Sequence, residues 1–222
     1  MMEQVLKPRA VVSWSGGKDC FLALHRVRGQ FDVIGLFTIM TEDGTRSRSH
    51  GIRPELLERQ ASLLDLPHFC ERASWAEYDQ AFSRGLASIK RHGVSHMIFG
   101  DIFPEANRTW AEKISSLHGV KAVEPIFGEP TDGLIHEFIS TGANAIITTV
   151  RSPFLDQSFL GKRLTSDLVA EFLERGVDPC GERGEFHTLV TRFSHSGESL
   201  HVRAGALHHE NDCIAVDLQL LE

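Results

Sequence analysis

Short apolar runs alternate with amphipathic stretches along most of this chain. The runs at 10–14 and 33–39 are apolar enough for buried strands, and helical periodicity follows over 18–28 and from Pro54 onward. Further strands are predicted near 68–70, 95–99 and 122–126, and further helices over 75–91 and 105–117. Because parallel strands need crossover helices, this alternation predicts an α/β fold with a doubly wound, mainly parallel sheet.

The pattern changes after residue 128. The segment Phe127-Gly128-Glu129-Pro130 is typical of a linker. Beyond it we predict helices at 134–140 and 166–175, a strand at 145–150, and antiparallel strand-like segments at 189–193, 199–203 and 214–220. The chain is therefore expected to form an N-terminal domain over 1–128 and a smaller C-terminal α/β lobe over 129–222.

Composition narrows the class of protein. The 222 residues are 41% hydrophobic and 24% charged, which is ordinary for a soluble globular protein. The sequence has no apolar run long enough for a membrane span and no signal-peptide core, so we expect a cytoplasmic protein. The net charge of −7 argues against broad nucleic-acid binding. The four cysteines form no CxxC pair, which favours reduced thiols.

The most informative motif follows the first strand. There Ser15-Gly16-Gly17-Lys18-Asp19 joins a buried strand to the start of a helix, whose N–H groups attract anions. Glycines allow close backbone approach, while serine and lysine add a hydroxyl donor and a cation. The spacing matches neither the kinase-type phosphate loop nor the dinucleotide fingerprint. The motif therefore indicates a polyphosphate ligand bound in a different type of loop.

In doubly wound sheets, ligands bind beyond the carboxyl ends of the strands. We therefore expect the segments 15–20, 37–38 and 100–101 to converge. Main-chain groups near Phe37 are candidates to hold adenine, and Asp101 is a candidate to bind magnesium or orient a reacting group. A capping role for Asp101 stays open. Arg108 either contacts phosphate or covers the surface.

The second informative segment is 178–188, which contains two glycines, a cysteine, a histidine and several carboxylates. Glu182 and Glu185 are suited to hold an amine or ammonium, and His187 to move a proton near neutral pH. The alternative is a solvated turn before a strand.

Together the motifs resemble a known family. Ser15-Gly16-Gly17-Lys18-Asp19 is similar to the PP-loop of the ATP pyrophosphatases. With Gly181-Glu182-Arg183-Gly184-Glu185-Phe186-His187-Thr188 it resembles the diphthine–ammonia ligase family, including its short bacterial members. Supporting pieces are His50-Gly51, Gln60-Ala61, Phe99-Gly100-Asp101 and Glu124-Pro125-Ile126. The resemblance runs from about Ala10 to Phe193.

The resemblance implies ATP-dependent amidation with Mg²⁺. A carboxylate would attack the α phosphate, pyrophosphate would leave, and ammonia would displace AMP. The expected nucleotide contacts are Ser13, Ser15, Gly16, Gly17, Lys18, Asp19, Cys20, Phe37, Thr38 and Gly100. The expected catalytic residues are Lys18, Asp101, Glu182, Glu185 and His187, with Asp101 also expected at the metal. The expected substrate contacts are His50, Arg108, Gly181, Gly184 and Thr188.

The sequence departs from the family pattern at two places. Cys20 stands where serine is common, and it either binds phosphate weakly, is reactive because a helix N-terminus lowers a thiol pKa, or packs. Phe186 and His187 replace a Tyr-Glu pair that is frequent in eukaryotic and archaeal members. The family acceptor is diphthine on translation elongation factor 2, but another carboxylate acceptor stays open here.

Two other functions stay open at the level of sequence. A PP-loop enzyme that adenylates a tRNA base would use the basic residues Arg46, Arg48 and Arg53 to contact phosphates, although a solvated loop is the simpler interpretation. A nucleotide-binding regulator would bind ATP without turnover. No sequence feature decides between a monomer and a homodimer, and the twelve histidines form no metal signature.

Overall fold

A computed structural model describes residues 6–193 and 198–221. The first half contains β1 (Arg9–Ser13), α1 (Lys18–Val27), β2 (Asp32–Met40), α2 (Pro54–Leu63), β3 (His68–Arg72), α3 (Tyr78–Lys90), β4 (His96–Ile98), α4 (Glu105–Ser116) and β5 (Lys121–Val123). The second half contains α5 (Thr131–Ser140), β6 (Asn144–Arg151), α6 (Ser166–Glu174), β7 (Phe186–Arg192), β8 (Val202–Glu210) and β9 (Cys213–Leu220), with a 3-10 turn at Gln157–Phe159. The predicted elements are present, but β8 begins later than predicted and extends further.

The first sheet is parallel and has the order β3-β2-β1-β4-β5. Its central strand carries Val11 and Val12, which point to opposite faces and are both fully buried. Helices α1 and α2 pack on the face of Val12, and α3 and α4 pack on the face of Val11. The strand order therefore reverses between β1 and β4. This point is where a doubly wound sheet opens a crevice for ligands.

The second sheet is antiparallel and has the order β7-β6-β9-β8. The expected fold class is confirmed, with a doubly wound parallel sheet followed by a smaller α/β part. Helices α5 and α6 cover this part and contribute Phe138 and Phe172 to its core.

One hydrophobic cluster joins the two sheets. Phe21 on α1 lies with its ring 5.7 Å from the rings of both Phe138 and Phe193. Main-chain hydrogen bonding also connects the halves, because the Val190 N–H donates to the Gly16 carbonyl at 2.9 Å. The division into 1–128 and 129–222 stays a prediction, and residues 1–5, 194–197 and 222 of those two ranges lie outside the described part. Nowhere in that part is a helix both long and apolar enough to cross a bilayer.

Two clusters of ion pairs also link the halves. Arg26 on α1 donates to the carboxylates of Glu129 and Glu137. On the other side, Arg53 makes two hydrogen bonds of 2.7 Å to Asp217 on β9, and Arg46 pairs with the same carboxylate at 2.7 Å. We call the trio of Arg46, Arg53 and Asp217 the β9 ion cluster.

The arginines of the basic loop, which the sequence leaves open as RNA contacts, bind partners within the protein. Arg46 and Arg53 belong to the β9 ion cluster. Arg48 donates twice to the Ala73 carbonyl, at 3.0 and 2.6 Å, and lies over the ring of Trp75. The structure gives these three guanidinium groups intramolecular partners, so it does not support the RNA interpretation of the loop.

Candidate active site at the reversal of strand order

A cavity of about 620 Å³ opens between the two sheets at the carboxyl ends of β1, β2 and β4. The structure brings most of the predicted site residues to its wall. Those that line it are Ser13, Ser15, Lys18, Asp19, Cys20, Phe37, Thr38, His50, Gly100, Asp101, Gly181, Glu182, Gly184, His187 and Thr188. The expected convergence of the loop segments is thus present, and the second motif closes the cavity from the other sheet.

Four predicted residues do not line the cavity. Gly16 lies against Leu57 and Gln60 of α2, and Gly17 is the N-cap of α1. Arg108 is 45% exposed and lies 3.4 Å from Glu112, one turn further along α4, and 3.7 Å from Glu124, which follows β5. These ion pairs correspond to the surface alternative for Arg108.

Glu185 is the fourth of these residues. Its environment does not match the catalytic role that the sequence predicts. Its side chain is 0% exposed, and its carboxylate accepts the Asp178 N–H at 3.0 Å and the Arg183 N–H at 2.9 Å. Arg183 adds an ion pair at 3.1 Å. The glutamate therefore orders the loop 178–185 from behind, because a buried carboxylate needs donors and finds them in the loop backbone. We replace its predicted catalytic role by a positioning role.

The glycine loop leads directly into the N-terminus of α1. Gly17 is the N-cap and offers no side-chain cap to the first turn. The Lys18 N–H donates to the Thr188 hydroxyl at 3.1 Å, which ties this turn to β7. A helix start without a side-chain cap leaves N–H groups for an anion.

Gly100 lets the segment after β4 lie against this helix start. A Cβ atom at Gly100 would fall 2.7 Å from the Cys20 nitrogen and 2.8 Å from the Asp19 carbonyl carbon. Both are backbone atoms, so neither can move away as a flexible side chain would. The close approach at the reversal of strand order therefore requires glycine.

We expect Gly100→Ala to displace the segment after β4 from α1 and to weaken nucleotide binding by at least about tenfold, the cost of roughly one well-placed hydrogen bond. Calorimetric titration with ATP measures the effect. A Cβ atom at Gly133 in α5 would meet no other atom within 4 Å, so Gly133→Ala is the matched control and should bind like wild type. Equal ATP affinity in the two variants would contradict the steric argument.

Lys18 is the cation of the cavity floor. It is 4% exposed, its ammonium lies 2.9 Å from Asp19, and it donates to the Cys180 carbonyl. Burial disfavours the charge, but attraction to Asp19, Cys180 and Glu182 outweighs it and raises the pKa of Lys18 above its usual value. The side chain is therefore a permanent cation that joins the glycine loop to the second motif.

Three carboxylates share the cavity wall. Burial raises the pKa of Asp101, repulsion from Asp19 adds to this, and a 2.9 Å hydrogen bond from Asn107 opposes it. Burial and then repulsion from Asp19 raise the pKa of Glu182 to about 7. Crowded carboxylates of this kind fit a cation, and Mg²⁺ is commonly held by one or two carboxylates together with phosphate oxygens. Among the described residues no group of three or more His, Cys, Asp or Glu side chains is arranged to hold a metal alone.

The raised pKa of Glu182 predicts a stability effect with a definite sign. A glutamate that keeps its proton longer in the folded state costs stability as pH rises from its unfolded pKa of about 4.3 to its folded value. Glu182→Gln should therefore raise the free energy of unfolding at pH 8 by about 1 kcal/mol, after allowance for partial solvent access, and leave it unchanged at pH 4. Thermal unfolding at the two pH values measures this. A variant less stable than wild type at pH 8 would contradict it.

The two halves each contribute a histidine to the cavity. The rings of His50 and His187 stack with centroids 4.5 Å apart. Burial, and then the charge of Lys18, lowers the pKa of His187 to about 4, and burial followed by repulsion from His187 lowers the pKa of His50 well below its usual value. Both rings are therefore neutral at pH 7. A pKa of about 4 does not suit the proton transfer near neutral pH that the sequence predicts for His187.

The environment of Cys20 argues against the reactive role among its three open roles. Its thiol is 4% exposed, donates to the Gly17 carbonyl at 3.1 Å, and accepts from the Ser15 hydroxyl at 3.5 Å. Burial raises its pKa to about 11 despite the helix N-terminus. The thiol thus packs within the loop as a protonated group, and the reactive interpretation is not supported.

The main-chain groups near Phe37 are partly used by the sheet. The Phe37 carbonyl accepts the Trp14 N–H at 2.8 Å, which extends the pairing of β1 and β2 past Ser13. The Thr38 hydroxyl donates to the Trp14 carbonyl at 2.6 Å. These contacts hold the end of β2 at the cavity wall. The adenine contact expected there stays a prediction.

Sequence reasoning missed the aromatic side of the cavity. Trp75, Tyr78, Phe82, Phe103 and Trp110 contribute to its wall, and Trp75 is 64% exposed. The spacing of Trp75, Tyr78 and Phe82 by three and four residues places them on one face of α3 and the turn before it, which was the available signal. The wall offers aromatic faces on which a planar ring or an organic cation can stack.

These features define a class. The chain is a doubly wound α/β protein with a glycine loop at a helix N-terminus, placed under a polar cavity at the reversal of strand order. Comparison with known proteins adds the family. A model of the diphthamide synthase N-terminal domain matches residues 8–122, and a model of the diphthamide synthase C-terminal domain matches residues 130–194. The chain belongs to the diphthamide synthase family.

The individual relatives share limited sequence identity with this chain. A protein of Schizosaccharomyces pombe named diphthine–ammonia ligase is 26% identical over 199 residues, which cover 79% of this chain and 33% of that protein. The chain therefore spans about a third of the length of this curated relative. A crystal structure described as a predicted subunit of tRNA methyltransferase from Methanocaldococcus jannaschii aligns with 83% of this chain and 97% of that chain, at 18% identity and a TM-score of 0.43. A resemblance at that score does not indicate a shared function.

Proposed function

We propose that this protein is an ATP-dependent, amide-forming ligase. It activates a carboxylate by adenylation, which releases pyrophosphate, and ammonia then displaces AMP to give the amide and a proton. The observation that carries the proposal is the junction of the two motifs, where the Lys18 ammonium joins the glycine loop to the carbonyl of Cys180 in the second motif. The membership in the diphthamide synthase family and the name of the Schizosaccharomyces pombe relative support the same reaction.

The glycine loop is proposed to hold the β and γ phosphates of ATP. The uncapped start of α1 supplies N–H donors, and Lys18 supplies a buried permanent cation. Both groups are fixed before any ligand arrives, so their interaction with charge on the departing pyrophosphate costs little reorganisation. Attraction of this kind is strongest in a cavity with little water.

Asp101 is proposed to hold Mg²⁺, with Asp19 as the second carboxylate. Burial, together with repulsion from Asp19, raises the pKa of Asp101, and a bound cation would relieve this. The ion supplies charge neutralisation for the phosphates when it is bound. Hard carboxylate oxygens match the ligand preference of this cation.

The second motif is proposed to receive the nitrogen source. At neutral pH ammonia is present mostly as ammonium, so the reaction needs a group that takes up a proton. Glu182 has a pKa of about 7 and lines the cavity, which suits a general base at physiological pH. His187 is neutral and offers a ring nitrogen as a hydrogen-bond acceptor without adding positive charge beside Lys18.

The aromatic wall is proposed to contact the adenine base or the acceptor. Trp75 and Tyr78 stack with centroids 5.6 Å apart at the rim of the cavity. The acceptor is proposed to be a carboxylate that projects far enough from its carrier to enter the cavity, and a side chain of a protein meets this condition. A cytoplasmic location and a 1–128/129–222 division into nucleotide and acceptor domains belong to the same proposal.

Product analysis tests the reaction. The pure protein is incubated with ATP, magnesium and ammonium, with and without an extract of its own source. AMP and pyrophosphate that form only with extract support an adenylating ligase and provide an assay to isolate the acceptor. ADP and phosphate, or tight binding without cleavage, would overturn the proposal in favour of an ATPase or a nucleotide-binding regulator.

A further inference from the structure

Gln60 on α2 occupies a fully buried position beneath the glycine loop. Its side chain is 0% exposed. The amide nitrogen donates to the Gly16 carbonyl at 3.0 Å and to the Val190 carbonyl at 2.7 Å, and the amide oxygen accepts the indole N–H of Trp14 at 2.9 Å. The reverse amide orientation would place an oxygen against two carbonyls, so these partners fix the side chain in one orientation.

The bond to Gly16 determines the direction of a neighbouring donor. The Gly16 carbonyl accepts from the Gln60 amide and also from the Val190 N–H at 2.9 Å. Because the peptide unit is planar and trans, the N–H of Gly17 points away from this carbonyl. It lies 3.4 Å from the Ser15 hydroxyl oxygen, and Ser15 lines the cavity. The carbonyl held on one side therefore directs the N–H of Gly17 to the other.

Such an orientation needs an external constraint. The peptide lies between two glycines, and Gly16 has a φ of +83°. Glycine rotates about its backbone bonds with little steric cost, so the 16–17 peptide is free to turn when its carbonyl is released. Gln60 is the one side chain that binds the carbonyls of both the loop and β7 among the described residues.

We propose that Gln60 is a positioning residue that fixes the 16–17 peptide and so directs the Gly17 N–H to the Ser15 hydroxyl, which lines the cavity, for binding of a polyphosphate. The inference rests on the proposed function, since it assumes that nucleotide phosphates bind at this loop. It adds a residue outside both signature motifs and places it in contact with both. Because the same amide also donates to the Val190 carbonyl on β7, the orientation of the loop depends on the contact with β7.

The substitution Gln60→Glu tests this with nearly unchanged shape. A glutamate retains an acceptor for Trp14 but places carboxylate oxygen against the carbonyls of Gly16 and Val190. The Gly16 carbonyl then keeps only the Val190 N–H as a donor and is repelled by the new oxygen. We expect the affinity for inorganic pyrophosphate, measured by calorimetry, to fall by about tenfold, the equivalent of one charge-assisted hydrogen bond. Affinity for AMP, which lacks the pyrophosphate group, should stay unchanged. Glu58→Gln, two residues earlier and exposed, is the matched control.

Comparison of the affinities for pyrophosphate and AMP distinguishes a positioning role from general destabilisation, because general destabilisation would weaken the binding of both ligands. A folded Gln60→Glu protein that binds pyrophosphate like wild type would overturn the inference. If that variant does not fold, Trp14→Phe decides, because it removes the donor that orients the amide. A selective loss of pyrophosphate affinity then supports the inference, and an unchanged affinity overturns it. Absence of pyrophosphate and ATP binding in wild type would instead count against the proposed function.

Discussion

The Lys18→Met variant is expected to cleave ATP at least about a hundredfold more slowly than wild type, because loss of one preorganised charge that stabilises a leaving group has an effect of this size. Methionine keeps the length and the apolar stem of the side chain. The change removes the ammonium that lies 2.9 Å from Asp19 and that donates to the Cys180 carbonyl. The initial rate of AMP release, in the presence of the extract that supports wild-type turnover, measures the effect.

A control variant separates the effect of the charge at Lys18 from the effect of the net charge of the protein. Lys113 is exposed on α4, so Lys113→Met alters the formal charge equally and should leave the rate unchanged. ATP affinity should fall in Lys18→Met and not in Lys113→Met. Wild-type AMP formation by a folded Lys18→Met protein would exclude Lys18 from the phosphate site.

The largest effect on stability is expected for Asp217→Asn. Asp217 is 5% exposed and makes contacts of 2.7 Å with both Arg46 and Arg53. Removal of its charge leaves two guanidinium groups facing an amide across the contact between the halves. A broken buried pair costs about 3–5 kcal/mol, and the partial exposure of both arginines reduces this to about 2–3 kcal/mol. For a chain of this length the melting temperature should fall by about 5–10 °C.

The loss of stability in Asp217→Asn should depend on pH and become smaller as the pH falls. Hydrogen bonds and charge attraction from Arg53 and Arg46 hold the pKa of Asp217 well below its usual range. A carboxylate with a depressed pKa stabilises the fold above its unfolded pKa, about 3.9, and this stability is lost as pH falls toward the folded value. The difference in melting temperature between wild type and Asp217→Asn should therefore be full at pH 7 and shrink below pH 4.

Asp132 provides the comparison for this measurement. It is exposed in the first turn of α5, so Asp132→Asn should change the free energy of unfolding by no more than about 0.5 kcal/mol. Equal melting temperatures for Asp217→Asn and Asp132→Asn at pH 7 would show that the β9 ion cluster contributes nothing to the attachment of β9.

Local patterning predicted the elements of the fold well. The buried runs became strands, and the Leu56 and Leu57 stripe after Pro54 became the buried face of α2. Sequence reasoning also placed the glycine loop between β1 and α1. It placed β8 too early, because residues 202–210 are mostly exposed at the sheet edge and lack the alternation of a half-buried strand.

The site was harder to predict residue by residue. The convergence of 15–20, 37–38 and 100–101 follows from a general rule for doubly wound sheets. The burial of Glu185 does not, because a carboxylate in a loop looks equally suited to a ligand or to its own backbone. The aromatic wall was missed for a similar reason, since Tyr78 and Trp110 have no motif and meet only through the packing of α3 against α4.

The sequence by itself determined the strand and helix order, the glycine loop and the family resemblance, since these depend on local periodicity and on short motifs. Only the tertiary structure decided which carboxylates face the cavity, that the Cys20 thiol is buried and protonated, and that Arg46 and Arg53 bind Asp217. Contacts between residues more than a hundred positions apart set burial, and burial sets both pKa and accessibility. Gln60 shows the same division. Gln60-Ala61 supports the family resemblance in the sequence, but only its place between Gly16 and Val190 assigns the side chain a partner in each half of the molecule.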